Sequence, residues 1–460
     1  MTPEEKRTFM LTTPVQRLIP RMAVPTIAAM LVTSVYNLAD TFFVSQLGTF
    51  ATGAVGINST IDNLIMMAGS MMAMGASSYT SRLLGAKEDE HARQVLSTCY
   101  FVAFALGLFV MAGGMLFQVP LLRFLGASDA LMPYSRQYCR YILLAAPFMA
   151  TSFVLNQCLR SEGSAFFAMI GMSTGAVLNI ILDPIFIFSM DMGVAGASMA
   201  TAISKLVSWT LLMIPYFRGK TLLKIHLKFF HPTWKDAKEV CVMGSAALFR
   251  TGMQTLSAIA INRVAITFGE SALAAISVAN RVARLVTSAC LGFGQGFQPV
   301  AGFSWGARRY SRVEEGLRFS KMVGVLGGSL VALVVAIFAK PLLLLFTEDD
   351  AELVRIGVFS LRCQCAAFPV HAYVIVINML CTATGNGKGA VLLGLSRQGL
   401  CFFPILYPMV ALFGVWGIAS VLAVADALSM LLAFPISRSV TRDLRRREAE
   451  QRSAEILQTA

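Results

Sequence analysis

The stretch Ala23–Gly48, AVPTIAAMLVTSVYNLADTFFVSQLG, decides how this chain folds. It is apolar and long enough to cross a bilayer, which takes about 20 helical residues. One acidic residue, Asp40, interrupts its second half. A carboxylate inside a spanning helix costs roughly 2.5–3.5 kcal/mol on insertion scales and is typical of a bundle interior or a wet cavity. The alternative is a carboxylate near a helix end that reaches headgroup water.

A second apolar stretch, Leu178–Phe188 (LNIILDPIFIF), also carries an acid. Its Asn179 and Asp183 stand at positions i and i+4, so they lie on one face of a helix. Under the topology below, Asp40 and Asp183 both fall in the outward halves of their helices. The sequence therefore predicts that the two acids share one site.

The composition indicates a polytopic membrane protein. Of the 460 residues, 56% are hydrophobic and 14% are charged, whereas a soluble domain has about 25% charged residues. The net charge of +13 collects in alternate loops, as the positive-inside rule requires, and the opposite loops are short or acidic, with Glu348 and Asp349 in one of them. We interpret the charge as topology rather than nucleic-acid binding, with both termini cytoplasmic.

Apolar runs separated by polar loops predict an all-α fold with twelve transmembrane helices. The nine cysteines and four histidines are scattered, without a CxxC motif, and give no support for a zinc-type site. The predicted spans are 20–46, 52–80, 95–119, 138–158, 166–189, 194–217, 240–268, 272–300, 319–339, 358–383, 390–412 and 416–437.

The two halves of the chain repeat each other with a nearly constant shift of 221 or 222 residues. Gly75 corresponds to Gly296, and Asn156 corresponds to Asn378. Because each half has an even number of spans, the two halves run the same way through the bilayer and form pseudo-symmetric bundles, a transporter architecture. The predicted segments are an N-terminal lobe (1–217), a cytoplasmic linker (218–239), a C-terminal lobe (240–437) and a basic cytoplasmic tail (438–460).

The repeat breaks at the acids, since Asp40 corresponds to Ile261 and Asp183 corresponds to Pro404. Ion coupling is therefore predicted to belong to the N-terminal lobe.

These segments resemble the multidrug and toxic compound extrusion (MATE) family, in its bacterial MepA-like or DinF-like branch of the MOP superfamily. The resemblance implies a twelve-helix fold in the bacterial inner membrane, alternating access, and export of cationic amphipathic drugs in exchange for H⁺ or Na⁺. It covers roughly residues 15–437. The segments that carry it are PTIAAMLVTSVYNLADTFFVSQLG, SRLLGAKEDEHARQVLS, LNQCLRSEG, LNIILDPIFIF, GVAGASMATAIS, GFGQGFQPVAGFSWGA, TGNGKGAVLLGLSRQG and GVWGIASVLAVADALS.

By this resemblance, Asp40, Asn179 and Asp183 match the family's N-lobe cation site, with Tyr36 and Thr201 as neighbours. If the ion is Na⁺, the implied ligands are Asp40, Asn179, Asp183 and Thr201; the same set can instead hold a proton.

Two further positions match the family. Asn156 matches a residue of the cation-coupling set, although it stands near the inner end of its span. Pro25 matches a proline at which the first helix can bend; the alternative is an ordinary proline at a helix start.

Several charges within the spans depart from the family pattern. Asp62 and Lys205 both lie near the bilayer middle, and the repeat carries Lys205 to Asp426 with its sign exchanged. Because an unpaired charge is costly at this depth, we predict one pair in each lobe, Asp62 with Lys205 and Arg284 with Asp426. Arg281 is the alternative partner of Asp426. The competing interpretation is four independent side chains facing a water-filled cavity.

The sequence thus predicts a secondary transporter, not an enzyme: a cation-coupled multidrug antiporter without an organic cofactor, acting as a monomer in the lipid bilayer on small cationic drugs. The alternative is a lipid-linked oligosaccharide flippase of the same fold superfamily. Such a flippase is expected to line its cavity with cations, whereas the N-lobe cluster is acidic.

Overall fold

The computed structural model describes residues 3–219, 221–344 and 350–459, so Glu348 and Asp349 lie outside the described residues. Within those ranges all regular secondary structure is helical, and no β-strand occurs. The predicted all-α fold class is confirmed.

Eight α-helices form the first half of the chain. A single π-helical turn, Ile185–Ser189, continues α7 directly after Pro184. The helices are α1 (Pro3–Thr12), α2 (Val15–Ser45), α3 (Thr49–Gly85), α4 (Asp89–Leu116), α5 (Gln118–Phe124), α6 (Met132–Ser161), α7 (Ala165–Pro184) and α8 (Gly193–Phe217).

Eight more α-helices form the second half. Short 3₁₀ turns occur at Leu227–Phe229 and Ile266–Phe268, and a π-helical turn, Ser396–Leu400, joins α14 to α15. The helices are α9 (Trp234–Ala265), α10 (Glu270–Gly306), α11 (Tyr310–Ile337), α12 (Ala339–Leu344), α13 (Ala351–Thr384), α14 (Gly387–Leu395), α15 (Phe402–Phe413) and α16 (Val415–Thr459).

Each of the twelve predicted spans coincides with a long helical segment. Among the described residues, nine such segments are long and apolar enough to cross a membrane by length and composition. The other three predicted spans coincide with α3, α9 and α10, whose length suffices but whose sequences are more polar. Polar residues inside spanning helices are typical of faces turned away from lipid.

Contacts divide the chain into two compact units. The first contains the described residues of Met1–Thr12 and Ala28–Gly244, and the second contains those of Thr13–Ile27 and Ser245–Ala460. The first part of α2 thus belongs to the second unit, and the first part of α9 belongs to the first unit. The lobe boundaries inferred from the sequence do not include this exchange and stay a prediction.

Small residues explain the exchange. In the first unit, a Cβ atom on Gly75 of α3 would lie 2.2 Å from the Val240 carbonyl oxygen of α9. In the second unit, a Cβ atom on Gly296 of α10 would lie 2.4 Å from the Ala23 Cα atom of α2. Only glycine permits such close backbone crossings, which are typical of helix packing in membranes. Because Gly75 and Gly296 are repeat partners, both units use the same crossing.

Pro25 lies well inside α2, ten residues after the helix begins at Val15. The interpretation as a helix-start proline is therefore wrong. A proline in a helix interior removes one backbone hydrogen bond, and α2 passes from one unit to the other between Ile27 and Ala28, two residues beyond it. The predicted bend at Pro25 stays a prediction.

Candidate functional site

The first unit buries a polar cluster between α7 and α8. Asn179 and Asp183 are 1% and 0% exposed, and Thr201 of α8 is 6% exposed. The Asn179 amide lies 2.9 Å from Asp183 Oδ2 and 3.2 Å from Thr201 Oγ1. Since a carboxylate only accepts hydrogen bonds, the amide nitrogen faces Asp183. The i, i+4 spacing predicted from the sequence thus places Asn179 directly against the acid.

Asp40 belongs to the same electrostatic environment. It interacts with Asp183 and with Lys205 of α8, and the Lys205 Nζ atom lies 5.2 Å from the centre of the Tyr36 ring. Asp40 and Asp183 each have one buried carboxylate oxygen without a hydrogen-bond partner among the described residues. Leaving such an oxygen unsatisfied is costly, so both acids are suited to bind a proton or a cation.

Asp62 of α3 is near the predicted partner but does not pair with it closely. Asp62 and Lys205 interact electrostatically, and Asp62 also interacts with Asp40. Among the described ion pairs within 4.0 Å, none joins Asp62 to Lys205, and one Asp62 oxygen is buried without a hydrogen-bond partner there. Lys205 is therefore shared among the acids and the Tyr36 ring.

Tyr138 of α6 is a member of this environment that the sequence reasoning missed. It is 3% exposed and interacts electrostatically with Asp62, Asp40 and Asp183. Its phenol adds a hydroxyl to a region rich in carboxylates. An aromatic residue at the start of a span is usually an interfacial anchor, so the sequence carries no signal for this role.

Asn156 is not brought to the acids. Its amide nitrogen donates to the Ala168 carbonyl oxygen at 2.9 Å, and its amide oxygen accepts from Arg160. The repeat partner Asn378 makes the equivalent bond, 2.8 Å long, to the Ala390 carbonyl oxygen. These contacts assign Asn156 to the tie between α6 and α7.

In the second unit, the predicted pairing of Asp426 with Arg284, or alternatively with Arg281, is wrong. The Asp426 Oδ1 atom lies 2.9 Å from Arg397 Nε and 3.1 Å from His371 Nδ1. Asp426 is 2% exposed, whereas Arg281 and Arg284 lie on the exposed face of α10. The partners of Asp426 come from α13 and from the π-helical turn between α14 and α15, not from α10.

No cluster of three or more His, Cys, Asp or Glu side chains that could hold a metal ion occurs among the described residues. An Na⁺ ion would therefore need a mixed set of oxygen ligands. Asn179, Asp183 and Thr201 supply such oxygens together, and the unpartnered Asp183 oxygen fits this requirement.

Two related halves of spanning helices, with carboxylates buried inside one of them, define a membrane transporter. The chain belongs to the MatE family, whose model matches residues 25–185 and 246–407. The two matched ranges begin 221 residues apart and end 222 apart, which confirms the internal repeat. The family resemblance inferred from the sequence is also confirmed.

The comparisons with individual proteins extend over nearly the whole chain. It is 26% identical over 436 residues to the multidrug export protein MepA of Staphylococcus aureus (strain N315), covering 94% of this chain and 96% of that one. It is 26% identical over 424 residues to MepA of Staphylococcus saprophyticus, covering 90% and 91%. A solved structure described as an outward-facing multidrug resistance MATE family transporter of the MOP superfamily matches with a TM-score of 0.90 and 25% identity, covering 95% of this chain and 98% of that one.

Proposed function

We propose that this protein is a cation-coupled multidrug efflux antiporter that exports cationic amphipathic compounds across a cell membrane. The relatives named multidrug export protein support the export of drugs. Coupling rests on one observation, the buried cluster of Asp183, Asn179 and Thr201 with Asp40 in its electrostatic environment. Cytoplasmic termini and a monomeric state are part of the proposal.

The proposed coupling works through charge. When Asp40 and Asp183 are both ionised, they repel each other in a region where water is scarce. Binding H⁺ or Na⁺ removes that repulsion and favours a different packing of α2, while a cationic drug needs the charged acids. Ion and drug therefore oppose each other's binding reciprocally, which is what exchange requires.

The test uses purified protein in liposomes with an imposed H⁺ or Na⁺ gradient. Asp40→Asn and Asp183→Asn should each insert and fold but lose gradient-driven drug transport, because neither amide can cycle between a charged and a neutral form. A pH-sensitive dye and an Na⁺ electrode identify the coupling ion by which of the two is released on drug addition. Gradient-driven drug transport at the wild-type rate by the Asp40→Asn protein would contradict the proposal.

Gln254 of α9 supplies the matched control, because it lies in the second unit and bears no charge. Gln254→Ala should alter the choice of drug and leave ion dependence intact. Loss of ion dependence in this variant would place coupling in the second unit. The flippase alternative is tested in the same liposomes with a fluorescent pyrophosphate-linked lipid, which the proposal expects to stay in its own leaflet.

A further inference from the structure

The predicted spans of the two halves differ sharply in charge. In the first half, acidic and basic residues are balanced, with Asp40, Asp62 and Asp183 against Arg21, Arg140 and Lys205. In the second half, Asp426 is the only acid in the spans. The basic residues there are Arg250, Arg263, Arg281, Arg284, Lys321, Arg362 and Arg397.

The acid of the second half is already neutralised. Arg397 Nε lies 2.9 Å from Asp426 Oδ1, and Arg397 Nη1 lies 3.3 Å from His371 Nε2. A guanidinium group only donates hydrogen bonds, so His371 accepts at Nε2 and carries its proton on Nδ1. His371 Nδ1 then donates to Asp426 over 3.1 Å. The trio is thus one cation, one anion and one neutral imidazole.

Arg250 of α9 adds an uncompensated positive charge beside this trio. The α9 residues one turn on either side of it, Ala246 and Met253, pack against Gly394 and Gly399, respectively. Gly394 precedes the π-helical turn that carries Arg397, and Gly399 lies inside that turn. Arg250 also interacts electrostatically with His371.

The described residues provide no ion-pair or hydrogen-bond partner for Arg250, which is half-buried. It stands ten residues into its predicted span, about 15 Å along the helix axis and hence near the middle of a hydrocarbon core about 30 Å thick. A charge at that depth is costly and marks a functional site by default.

We infer that Arg250, with the Arg397–His371–Asp426 trio beside it, binds the anionic group of a substrate, a carboxylate or a group of similar charge. Asp426 is already paired with Arg397 and His371 within the trio. Arg250 therefore stays available to pair with the ligand. Arginine is suited to this task because its planar fork matches a carboxylate. As a statement about exported substrates, the inference rests on the proposed function; as a statement about binding, it does not.

The experiment compares two forms of one fluorescent dye, a rhodamine with a free carboxylate and the ethyl ester of the same rhodamine. The free acid carries a positive and a negative charge, and the ester carries only the positive one. Binding to the purified full chain in lipid nanodiscs is followed by fluorescence polarisation, without any ion gradient. Arg250→Gln should weaken the free acid about tenfold or more and leave the ester unchanged.

Arg263→Gln is the matched control, since Arg263 is a basic residue on the same helix but lies exposed near the outer end of its span. It should change neither dye. Equal weakening of acid and ester by Arg250→Gln, or no weakening of either, overturns the inference and makes Arg250 a solvated cavity side chain. Replacing gluconate with chloride tests the source of the anion: chloride that displaces the acid from wild type but not from Arg250→Gln shows a site open to free anions as well.

The outcome is separable from that of the proposed function. If Asp40→Asn still transports drug but Arg250→Gln loses the free acid selectively, coupling fails and the anion site stands. If the reverse holds, the antiporter stands and the anion site fails.

Discussion

Glu162 is a titratable residue that holds the segment between α8 and α9 in place. It follows α6 directly, outside the membrane span, and is 0% exposed. Its Oε2 atom accepts hydrogen bonds from the backbone N–H groups of Leu222, at 2.7 Å, and Leu223, at 3.3 Å. The carboxyl group therefore holds the start of the linker against the end of α6.

Burial raises the pKa of Glu162 from 4.5 to about 7, even though Lys6 and the two backbone hydrogen bonds act in the opposite direction. Between these two pKa values, the Glu162 carboxyl group is protonated when it is buried against Leu222 and Leu223, and it loses the proton when the contact opens to water. The stabilisation of the closed contact by this proton is complete below pH 4.5 and is lost as the pH rises toward 7. A pKa difference of this size corresponds to about 3 kcal/mol of opening free energy, or roughly a hundredfold in the opening equilibrium.

Hydrogen exchange measures this opening. Between pH 5 and pH 8, exchange of the Leu222 and Leu223 amides should accelerate beyond the intrinsic pH effect, by up to roughly a hundredfold if opening limits exchange. Glu162→Gln keeps an acceptor oxygen but cannot titrate, so its excess acceleration should vanish. The backbone amide of His231, which donates to the Thr98 hydroxyl at 3.1 Å, is the internal control without a carboxylate. If the Glu162→Gln protein retains the excess pH dependence, the buried carboxyl is not its cause.

Two further predictions concern packing and the ion site. Gly75→Ala should lower the free energy of unfolding of the purified protein by about 1–3 kcal/mol, because the new Cβ would lie 2.2 Å from a backbone oxygen of α9. Gly113→Ala is the control and should not lower it, since a Cβ there has nothing within 4 Å. Equal melting temperatures of the two variants would contradict the close crossing. Thr201→Val should weaken binding of the coupling ion, because it removes the hydroxyl that lies 3.2 Å from the Asn179 amide. The ion concentration that gives half-maximal transport should rise about tenfold. Thr210→Val, whose hydroxyl bonds only within α8, should match wild type.

The helices and the repeat were readable from the sequence because they follow from hydrophobic length and from a constant register. Hydrophobic runs locate spans without any knowledge of packing. A duplicated chain shows the same shift at many separate pairs of residues, such as Gly75 with Gly296 and Asn156 with Asn378. The exchange of helix starts between the two units was not readable. The exchange depends on which backbone segment packs against Gly75, and the sequence around a helical glycine does not show which segment that is.

The candidate site was predictable only where chemistry and local spacing coincide. Asn179 and Asp183 are one helical turn apart, so their contact follows from helix geometry alone. Tyr138 and Asp62 reach the same environment from other helices, and neither distance is encoded in local spacing. The prediction that Arg284, or alternatively Arg281, pairs with Asp426 failed for a related reason. A π-helical turn shifts the faces of the residues around it, so simple helical periodicity misplaces Arg397.

Lys205 and Asp426 occupy equivalent positions of the repeat but carry opposite charges. They are repeat partners on the last spanning helix of each half, yet Lys205 lies among acids and Asp426 lies among bases. A duplicated bundle can tolerate either sign at this position only if residues of the same unit supply the opposite charge, because a buried charge without a partner is strongly destabilising. In the first unit, Asp40 and Asp62 supply the charge opposite to Lys205, and in the second unit Arg397 supplies the charge opposite to Asp426.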